Sequence, residues 1–256
     1  MLLRREQYRR VDDERFSAEI ARAVVTAKIA NCRTALLRAA RERPGNEGVG
    51  EVRKAIKTLA CLLNDLRNPV PMETVRGKEG EAARTYFGVF DHLITVQRED
   101  FFFIERSRRP PLDNMNALLS FFYTLLAHDV ASALEAVGLD PQAGYLHRDR
   151  PGRPSLALDL MEELRAYLAD RLALTLVNRQ QVKPKGFKRT ESGAVTMDDT
   201  TRKEVLVAYQ KRKQEDITHP FLGEKIAVGL LPHVQAMLLA RFLRGDLDGY
   251  PPFIWK

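Results

Sequence analysis

The chain has 256 residues, of which 45% are hydrophobic, so it is not a disordered chain and can form one large domain or two small ones. Its 41 lysines and arginines exceed its 34 aspartates and glutamates, and the resulting net charge of +7 favours a polyanionic partner. Charge alone does not identify that partner.

The cysteines and the N-terminus indicate the cellular compartment. Cys32 and Cys61 lie in apolar helical patterns, so we predict buried free thiols in a reducing cytoplasm. The N-terminus lacks the apolar core of a signal peptide, and no apolar run is long enough to span a bilayer. We therefore expect a cytoplasmic protein without a membrane partner.

The first part of the chain is predicted to be helical except for its start. Residues 1–11 are basic and carry few helix signals, whereas apolar periodicity predicts helices over 12–43 and 49–66. A long helix is predicted to begin near residue 82 and to reach about residue 103. Glu79, between two glycines, would then lie in its first turn, where the helix dipole alone could explain an acid.

The second part combines helices with one hairpin. A basic, proline-rich loop at 104–113 precedes a strongly apolar helix that Asp113 or Asn114 caps. Further helices are predicted at 114–137, 155–182, 199–213 and 230–243, and a β-hairpin at 187–197. The aromatic tail YPPFIWK is expected to pack back on the body. The fold class is therefore mainly α, a multi-helix domain with one small β-hairpin.

The stretch Gly144 to Arg165 combines an imidazole, a basic loop and an acidic helix. His147 opens the loop, Ser155 is predicted to be the helix N-cap, and Asp159 shares a helix face with Glu162 and Glu163. Such a set could bind a hard cation beside an anion. The alternative is an ordinary surface helix whose acids lie near its N-terminus.

Other catalytic motifs are missing from the sequence. It contains no Walker loop, no dinucleotide-binding glycine fingerprint, no zinc spacing and no serine elbow. The remaining scattered set, Glu79, His147, Asp159 and Glu162, could assemble one site for Mg²⁺ or Mn²⁺, which prefer oxygen ligands.

Four stretches, in order, resemble a known family. They are RGKEGEAARTYF (76–87), RRPPLDNMNALLSFFYTLL (108–126), the run 138–165 and QAMLLARFLRGDLDGYPPF (235–253). Together they resemble the CRISPR-associated endonucleases and integrases that insert new spacers into CRISPR arrays, and they are most similar to type I-C members. Lys78 departs from the family pattern, which has an aliphatic residue before the glutamate, and could lower the pKa of Glu79 or compete with the metal.

The resemblance implies a metal site and a reaction. Glu79, His147 and Glu162 match the family's Mg²⁺ or Mn²⁺ ligands, Asp159 matches a further acidic position near the site, and Glu163 would be a solvated neighbour. The implied reaction is phosphodiester transfer, in which a DNA 3′-hydroxyl, or water in plain cleavage, attacks a backbone phosphate. His147 could instead assist a proton transfer.

The resemblance also implies partners and a domain division. The partners would be the spacer DNA, the CRISPR repeat and a small ferredoxin-like adaptation protein. Residues 1–11 would be the remnant of a linker after an N-terminal β domain that is missing here, and residues 12–256 would be the all-α metal-dependent catalytic domain. The family uses the β domain for dimerisation and for binding the adaptation protein, so the resemblance implies these two properties for the full-length family and not directly for this chain. The candidate phosphate contacts are the following cations: Arg106, Arg108, Arg109, Arg148, Arg150, Arg153, Lys183, Lys185, Lys188 and Arg189. An ordinary role on the solvated surface is equally open for each of them.

Two other functions compete with this interpretation. The first is a catalytically weak DNA-binding or scaffold remnant of the same family. The second is a metal phosphohydrolase centred on His128 and Asp129, although the apolar surroundings favour a buried, satisfied histidine.

Overall fold

The computed structural model describes residues 2–45, 47–148 and 150–255. Within these residues the helices are α1 (Leu2–Val11), α2 (Glu14–Glu42), α3 (Val49–Asp65), α4 (Met72–Phe87), α5 (Asn114–Ala136), α6 (Ser155–Leu164), α7 (Arg171–Asn178), α8 (Asp199–Gln214) and α9 (Leu231–Leu243). A π-helical segment, Arg165–Asp170, joins α6 to α7. The mainly α fold class predicted from the sequence is confirmed.

Two short antiparallel hairpins complete the fold. Strand β1 (Phe187–Arg189) pairs with β2 (Val195–Met197), with Lys188 opposite Thr196. Strand β3 (Asp216–Thr218) pairs with β4 (Lys225–Ala227), with Ile217 opposite Ile226. The first hairpin was predicted. The second was not, because the residues between its strands, HPFLGE, contain no turn pair like the Ser-Gly that indicated the first hairpin.

Helix α2 is the central element of the first half. It begins at the cap Asp13, whose carboxylate accepts from the backbone N–H groups of Arg15 and Phe16. Its buried face packs against α3, α4 and α6, and the π-helical segment lies against it too. In the second half α5 packs against α6 and α9. Helix α6 is therefore enclosed by α2 and α5, which buries nearly every residue along it.

Several predicted elements differ from the structure. Residues 2–11 are helical although the sequence showed few helix signals, because α1 packs on α2 and α9. The helix that carries Glu79 starts at Met72, so this residue lies mid-helix, and it ends at Phe87 instead of residue 103. Beyond it Asp91 Oδ1 accepts from the Phe103 N–H at 2.7 Å and folds the chain back.

The predictions at capping and cysteine positions were partly wrong. Pro154, and not Ser155, is the N-cap of α6, and the buried Ser155 hydroxyl donates to the Arg148 carbonyl at 3.4 Å. Cys32 is buried as predicted, whereas Cys61 is exposed on α3. Both thiols are free.

The prediction that no apolar run could span a bilayer is wrong for helix α5. Its 23 residues are long and apolar enough to cross a membrane by length and composition, and 44% of its most apolar part is buried inside the protein. Core helices of soluble proteins can have the same length and composition. Contacts with α6 and α9 account for its apolar composition.

The C-terminal tail packs back on the body, as predicted, through one buried amide. Asn31 on α2 donates to the carbonyls of Glu163 at 2.7 Å and Phe253 at 2.8 Å, and it accepts from the Trp255 N–H at 2.7 Å. One side chain therefore joins α2, α6 and the tail.

Replacing this amide should destabilise the fold. We expect Asn31→Ala to lower the free energy of unfolding by about 3 kcal/mol, because three buried backbone groups lose their partner. Urea unfolding followed by circular dichroism measures the change. The exposed Asn64→Ala is the matched control, and equal stability of the two variants would contradict a structural role for Asn31.

Candidate functional site

Two of the predicted metal ligands meet across a lysine that the sequence analysis did not identify. Lys28 on α2 forms ion pairs with Glu79 on α4 and with Glu162 on α6, the latter with Nζ and Oε2 2.8 Å apart. The lysine side chain is only 8% exposed and Glu162 only 2%, whereas Glu79 is 29% exposed. Helices α2, α4 and α6 are thus joined by one cation between two carboxylates.

Glu162 is ionised although it is buried. Burial alone raises the pKa of its carboxyl, but Arg165, with a guanidinium nitrogen 2.8 Å away, and Lys28 outweigh burial and lower the pKa to about 2. Burial likewise disfavours the charged amine of Lys28, yet Glu162 and Glu79 hold its pKa above the usual value. His147 is attached to the same helix, because its Nδ1 lies 2.6 Å from Oδ1 of Asp159, one turn before Glu162.

Asp159 orients His147. Its carboxylate is completely buried and accepts from the backbone N–H groups of Tyr145, Leu146 and His147 at 2.6–3.0 Å. Its Oδ1 also lies 2.6 Å from Nδ1 of the imidazole. A proton on Nδ1 leaves the lone pair on Nε2, the arrangement that carboxylate partners impose on metal-binding histidines. With its oxygens occupied by the loop, Asp159 serves as a positioning group.

The histidine loop is held against both α4 and α6. A Cβ at Gly144 would come within 2.7 Å of Ser155 and 2.9 Å of Asp159 Oδ2, so only glycine permits this approach. From the other side, Arg76 on α4 donates to the Leu146 carbonyl at 2.9 Å. The loop therefore presents His147 at a fixed place, with 22% of its side chain exposed.

Glu163 is not the solvated neighbour that the sequence suggested. It is fully buried and accepts from the Tyr250 hydroxyl at 2.7 Å, the Phe253 N–H at 2.7 Å and the Gln235 amide at 2.8 Å. Burial raises the pKa of its carboxyl to about 8. Helix α6 is accordingly a core helix and not the surface helix of the alternative interpretation.

The donor set suits a divalent cation, with Lys28 standing between the carboxylates. Among the residues described, no three His, Cys, Asp or Glu side chains are arranged to hold a metal ion as they stand. Two carboxylates and an imidazole are nevertheless ligands that Mg²⁺ and Mn²⁺ accept. Oε2 of Glu162 is buried without a hydrogen bond of good geometry, despite the nearby ammonium, and so retains acceptor capacity. The residues therefore fit such an ion once Lys28 shifts.

Lys78 does not face this site. Its ammonium binds Asp65 at 2.6 Å and lies 3.7 Å from Glu81. The lysine that pairs with Glu79 is Lys28. The sequence could have indicated that Lys28 is buried, although not which acids it contacts. Lys28 and Asn31 follow Val24 by four and seven residues, so they lie on the buried stripe of α2, where unpaired polar side chains are costly.

The basic candidates form partly separate groups. Arg106 lies over the Tyr123 ring, as does Arg165, so the loop at 104–113 adjoins the acidic site. The first hairpin packs on the same loop, since Arg189 donates to the Leu112 carbonyl at 3.1 Å. Arg148 reaches Glu73 at 3.4 Å. The remaining candidates that are exposed are Arg108, Arg109, Arg150, Lys183, Lys185 and Lys188, whereas Arg153 is half-buried.

At the alternative site, the side chains of His128 and Asp129 have different surroundings. His128 is exposed, which contradicts the expected buried histidine. Asp129 is engaged by the Tyr209 hydroxyl at 2.9 Å and by Lys213 at 2.8 Å. These contacts give the aspartate a structural partner on α8.

The fold and the site define an α-helical protein with a carboxylate–histidine centre beside cationic side chains. Residues 1–211 match the family model of the CRISPR associated protein Cas1. The chain therefore belongs to the Cas1 family of CRISPR-associated endonucleases.

Individual relatives agree with this assignment. A CRISPR-associated endonuclease Cas1 of Chlorobaculum tepidum is 55% identical over the whole chain, which spans 75% of that relative. One of Leptospira interrogans is 46% identical, and the match covers both chains completely. A chain in a solved partial Cas6-RT-Cas1–Cas2 complex is 25% identical with a TM-score of 0.80, covering 98% of this chain and 72% of that one.

The buried acid Glu163 should make stability depend on pH. A raised pKa means that the folded state keeps a proton that the unfolded chain releases between its usual pKa of 4.5 and about 8. The free energy of unfolding should therefore fall from pH 5 to pH 8 relative to Glu163→Gln, which cannot lose a proton. Urea titrations at four pH values measure this difference. Parallel profiles for the two proteins would refute it, and the exposed Glu191→Gln serves as the control.

Proposed function

We propose that the chain is a divalent-metal-dependent DNA endonuclease and integrase that inserts new spacers into CRISPR arrays. A DNA 3′-hydroxyl attacks a phosphodiester of the target strand, a new phosphodiester forms, and the target's 3′-hydroxyl leaves; water as the nucleophile gives hydrolysis instead. One observation supports this most directly. Glu79 and Glu162, far apart in sequence, converge on one cation beside a histidine whose ring an aspartate orients.

Glu79, Glu162 and Nε2 of His147 are the groups that would hold Mg²⁺ or Mn²⁺. When bound, the ion supplies charge stabilisation at a phosphoryl oxygen and orients the reacting groups. The protein's own residues prepare the site. Asp159 fixes the imidazole tautomer, and Arg165 keeps the buried Glu162 ionised.

The basic loop at 104–113 and the first hairpin are suited to phosphate contacts near the site. Arg108, Arg109, Lys185 and Lys188 expose their charges there, and backbone contacts of this kind bind DNA in a salt-dependent, weakly sequence-specific way. The Cas1–Cas2 assembly of the solved relative supports a second adaptation protein as partner. We place the activity in the cytoplasm.

Removing a proposed ligand should abolish the chemistry. We expect Glu79→Gln, His147→Asn and Glu162→Gln each to reduce Mn²⁺-dependent strand transfer into branched repeat DNA by at least about 100-fold, and Asp159→Asn to reduce it about 10- to 100-fold. A gel assay with labelled DNA measures both transfer and cleavage. Glu81→Gln, which alters a neighbouring acid on α4 away from the site, should retain activity.

The outcomes separate the two competing functions. Unchanged activity in all four variants would refute the site. DNA binding by the wild-type chain without any metal-dependent transfer or cleavage would identify a binding or scaffold protein instead.

Lys28 should compete with the metal for the two carboxylates. We expect Lys28→Met to bind Mn²⁺ at least about tenfold more tightly, a change of about 1.4 kcal/mol, because no ammonium must leave the site. Without metal the variant should melt at a lower temperature than wild type, since two carboxylates lose their countercharge. Titration calorimetry and thermal melts with and without Mn²⁺ measure both effects.

Lys78→Met is the matched control, because that ammonium binds Asp65 outside the site. It should leave the affinity for Mn²⁺ unchanged. Equal or weaker Mn²⁺ binding by Lys28→Met would show that the lysine does not occupy the cation position.

A further inference from the structure

Gln7 is the one buried side chain on a helix that otherwise lies at the surface. Helix α1 carries four arginines in ten residues, and Gln7 is its only buried residue. Its amide Nε2 donates to the carbonyls of Asp140 at 2.8 Å and Ala143 at 3.0 Å, and its Oε1 accepts from the Asp140 N–H at 2.8 Å. A glutamine amide has two donors and one acceptor oxygen, so all of these groups are used on one segment, residues 140–143. We call these residues the bridge segment.

The bridge segment is also bound by the first turn of α6. The Pro141 carbonyl accepts from the N–H groups of Leu156 at 2.9 Å and Ala157 at 3.2 Å. These N–H groups belong to the helix start, where they have no partner within the helix. The bridge segment therefore joins α1 to the helix that carries Asp159 and Glu162.

The residues after the bridge segment lead directly to His147. A Cβ at the next residue, Gly144, would come within 2.9 Å of Asp159 Oδ2, so the chain lies close against α6 here. The N–H groups of residues 145–147 all donate to the Asp159 carboxylate. A chain held at every residue has little freedom to absorb a shift, so a displacement of the bridge segment is transmitted to the imidazole four residues later.

Two further contacts connect α1 with the same loop. The Tyr8 hydroxyl donates to the Asp140 carboxylate at 2.7 Å. Phe16, in the first turn of α2, lies edge-on to the Tyr145 ring with the centroids 6.1 Å apart, and the Arg10 guanidinium lies 4.7 Å from the centroid of Phe16. Helix α1 is thus bound to the loop both at the bridge segment and, through Phe16, beside the histidine.

Helix α1 depends on these contacts for its position. A helix of ten residues is marginal in water by itself, so tertiary contacts must hold it in place. Its buried contribution is the Gln7 amide and not an apolar face. Elements with few buried apolar contacts open locally at lower free energy than the body of a protein. The docking of α1 can therefore change while the core remains folded.

We propose that Gln7 is a positioning residue for His147, so that this histidine has its working orientation only while α1 is docked. Gln7 acts through the backbone, because all three of its hydrogen bonds go to the bridge segment. The consequence for the reaction rests on the proposed function, since it requires His147 to bind the metal. The effect of Gln7 on the imidazole does not.

Gln7→Met removes these hydrogen bonds while nearly keeping the volume of the side chain. We expect kcat for Mn²⁺-dependent strand transfer to fall about 10-fold and the half-saturating Mn²⁺ concentration to rise about 3- to 10-fold, because partners that orient metal-binding histidines contribute effects of this order. The KM for DNA should not change. Tyr8→Phe removes only the bond to Asp140 at an exposed position and should lower kcat about 2-fold.

Gln97→Met is the matched control. The Gln97 amide also donates to two backbone carbonyls, those of Val177 and Val182, both at 3.2 Å, so the same substitution removes similar bonds on and after α7. It should lower the melting temperature measured by circular dichroism and leave kcat and the Mn²⁺ requirement at wild-type values. An equal fall in kcat for Gln7→Met and Gln97→Met would show that Gln7 supports only the fold, which would overturn the proposal.

The orientation of the imidazole is measured separately, without catalysis. The full chain is labelled with ¹⁵N-histidine and held in EDTA at alkaline pH, and two-bond ¹H–¹⁵N correlation spectra identify the ring nitrogen that carries the proton. His147→Asn assigns the signal. We expect a proton on Nδ1 of His147 in wild type and in Gln97→Met, and a mixture of tautomers in Gln7→Met. Should Gln7→Met not fold, wild-type kcat together with a wild-type His147 signal in Tyr8→Phe would overturn the proposal.

The two measurements distinguish this proposal from the proposed function. A chain without Mn²⁺-dependent transfer whose His147 signal still depends on Gln7 would refute the proposed function and support the positioning role. Full activity and an unchanged His147 signal in Gln7→Met would overturn the positioning role and leave the proposed function intact.

Discussion

The buried ammonium of Lys28 between Glu79 and Glu162 is the interaction on which the site depends. It joins α2, α4 and α6 at a point where each charge alone would carry a large desolvation cost. Arg165 adds a second cation to Glu162, so the carboxylate stays ionised at a position that is almost sealed from solvent. The charges that hold the three helices together are thus the same charges that can attract a cation to the site.

A second network on the other side of α6 keeps this arrangement rigid. Glu163 and the amide of Asn31 bind the C-terminal tail. The two consecutive glutamates of α6 therefore contact different parts of the protein. Glu162 faces cations and has a pKa of about 2, whereas Glu163 faces hydroxyl, amide and backbone donors in an apolar setting and has a pKa of about 8. The environment, and not the residue type, determines which acid is charged.

The π-helical segment after α6 connects the acidic site with the Trp255 ring of the C-terminal tail. Arg165 at its start pairs with Glu162, and Arg171 immediately after its end lies over Trp255. The wider turn of a π-helix re-aims side chains relative to the preceding α-helix, and such segments are frequent at functional sites. The backbone geometry of this segment therefore directs Arg165 to Glu162 and Arg171 to the Trp255 ring.

Apolar periodicity and capping residues in the sequence by themselves determined most helices, because these depend on neighbours three or four positions apart. The caps Asp13, Asp113 and Asp198, and the first hairpin, follow the same local logic. The resemblance to the family supplied Glu79, His147 and Glu162 as candidates. Only the tertiary structure decided that Lys28 lies between two of them, since Lys28 and Glu79 are 51 residues apart. It also decided that Glu163 is buried and that Trp255 returns to α2 across 224 residues. Contacts at such separations depend on how whole helices pack, which no local pattern specifies.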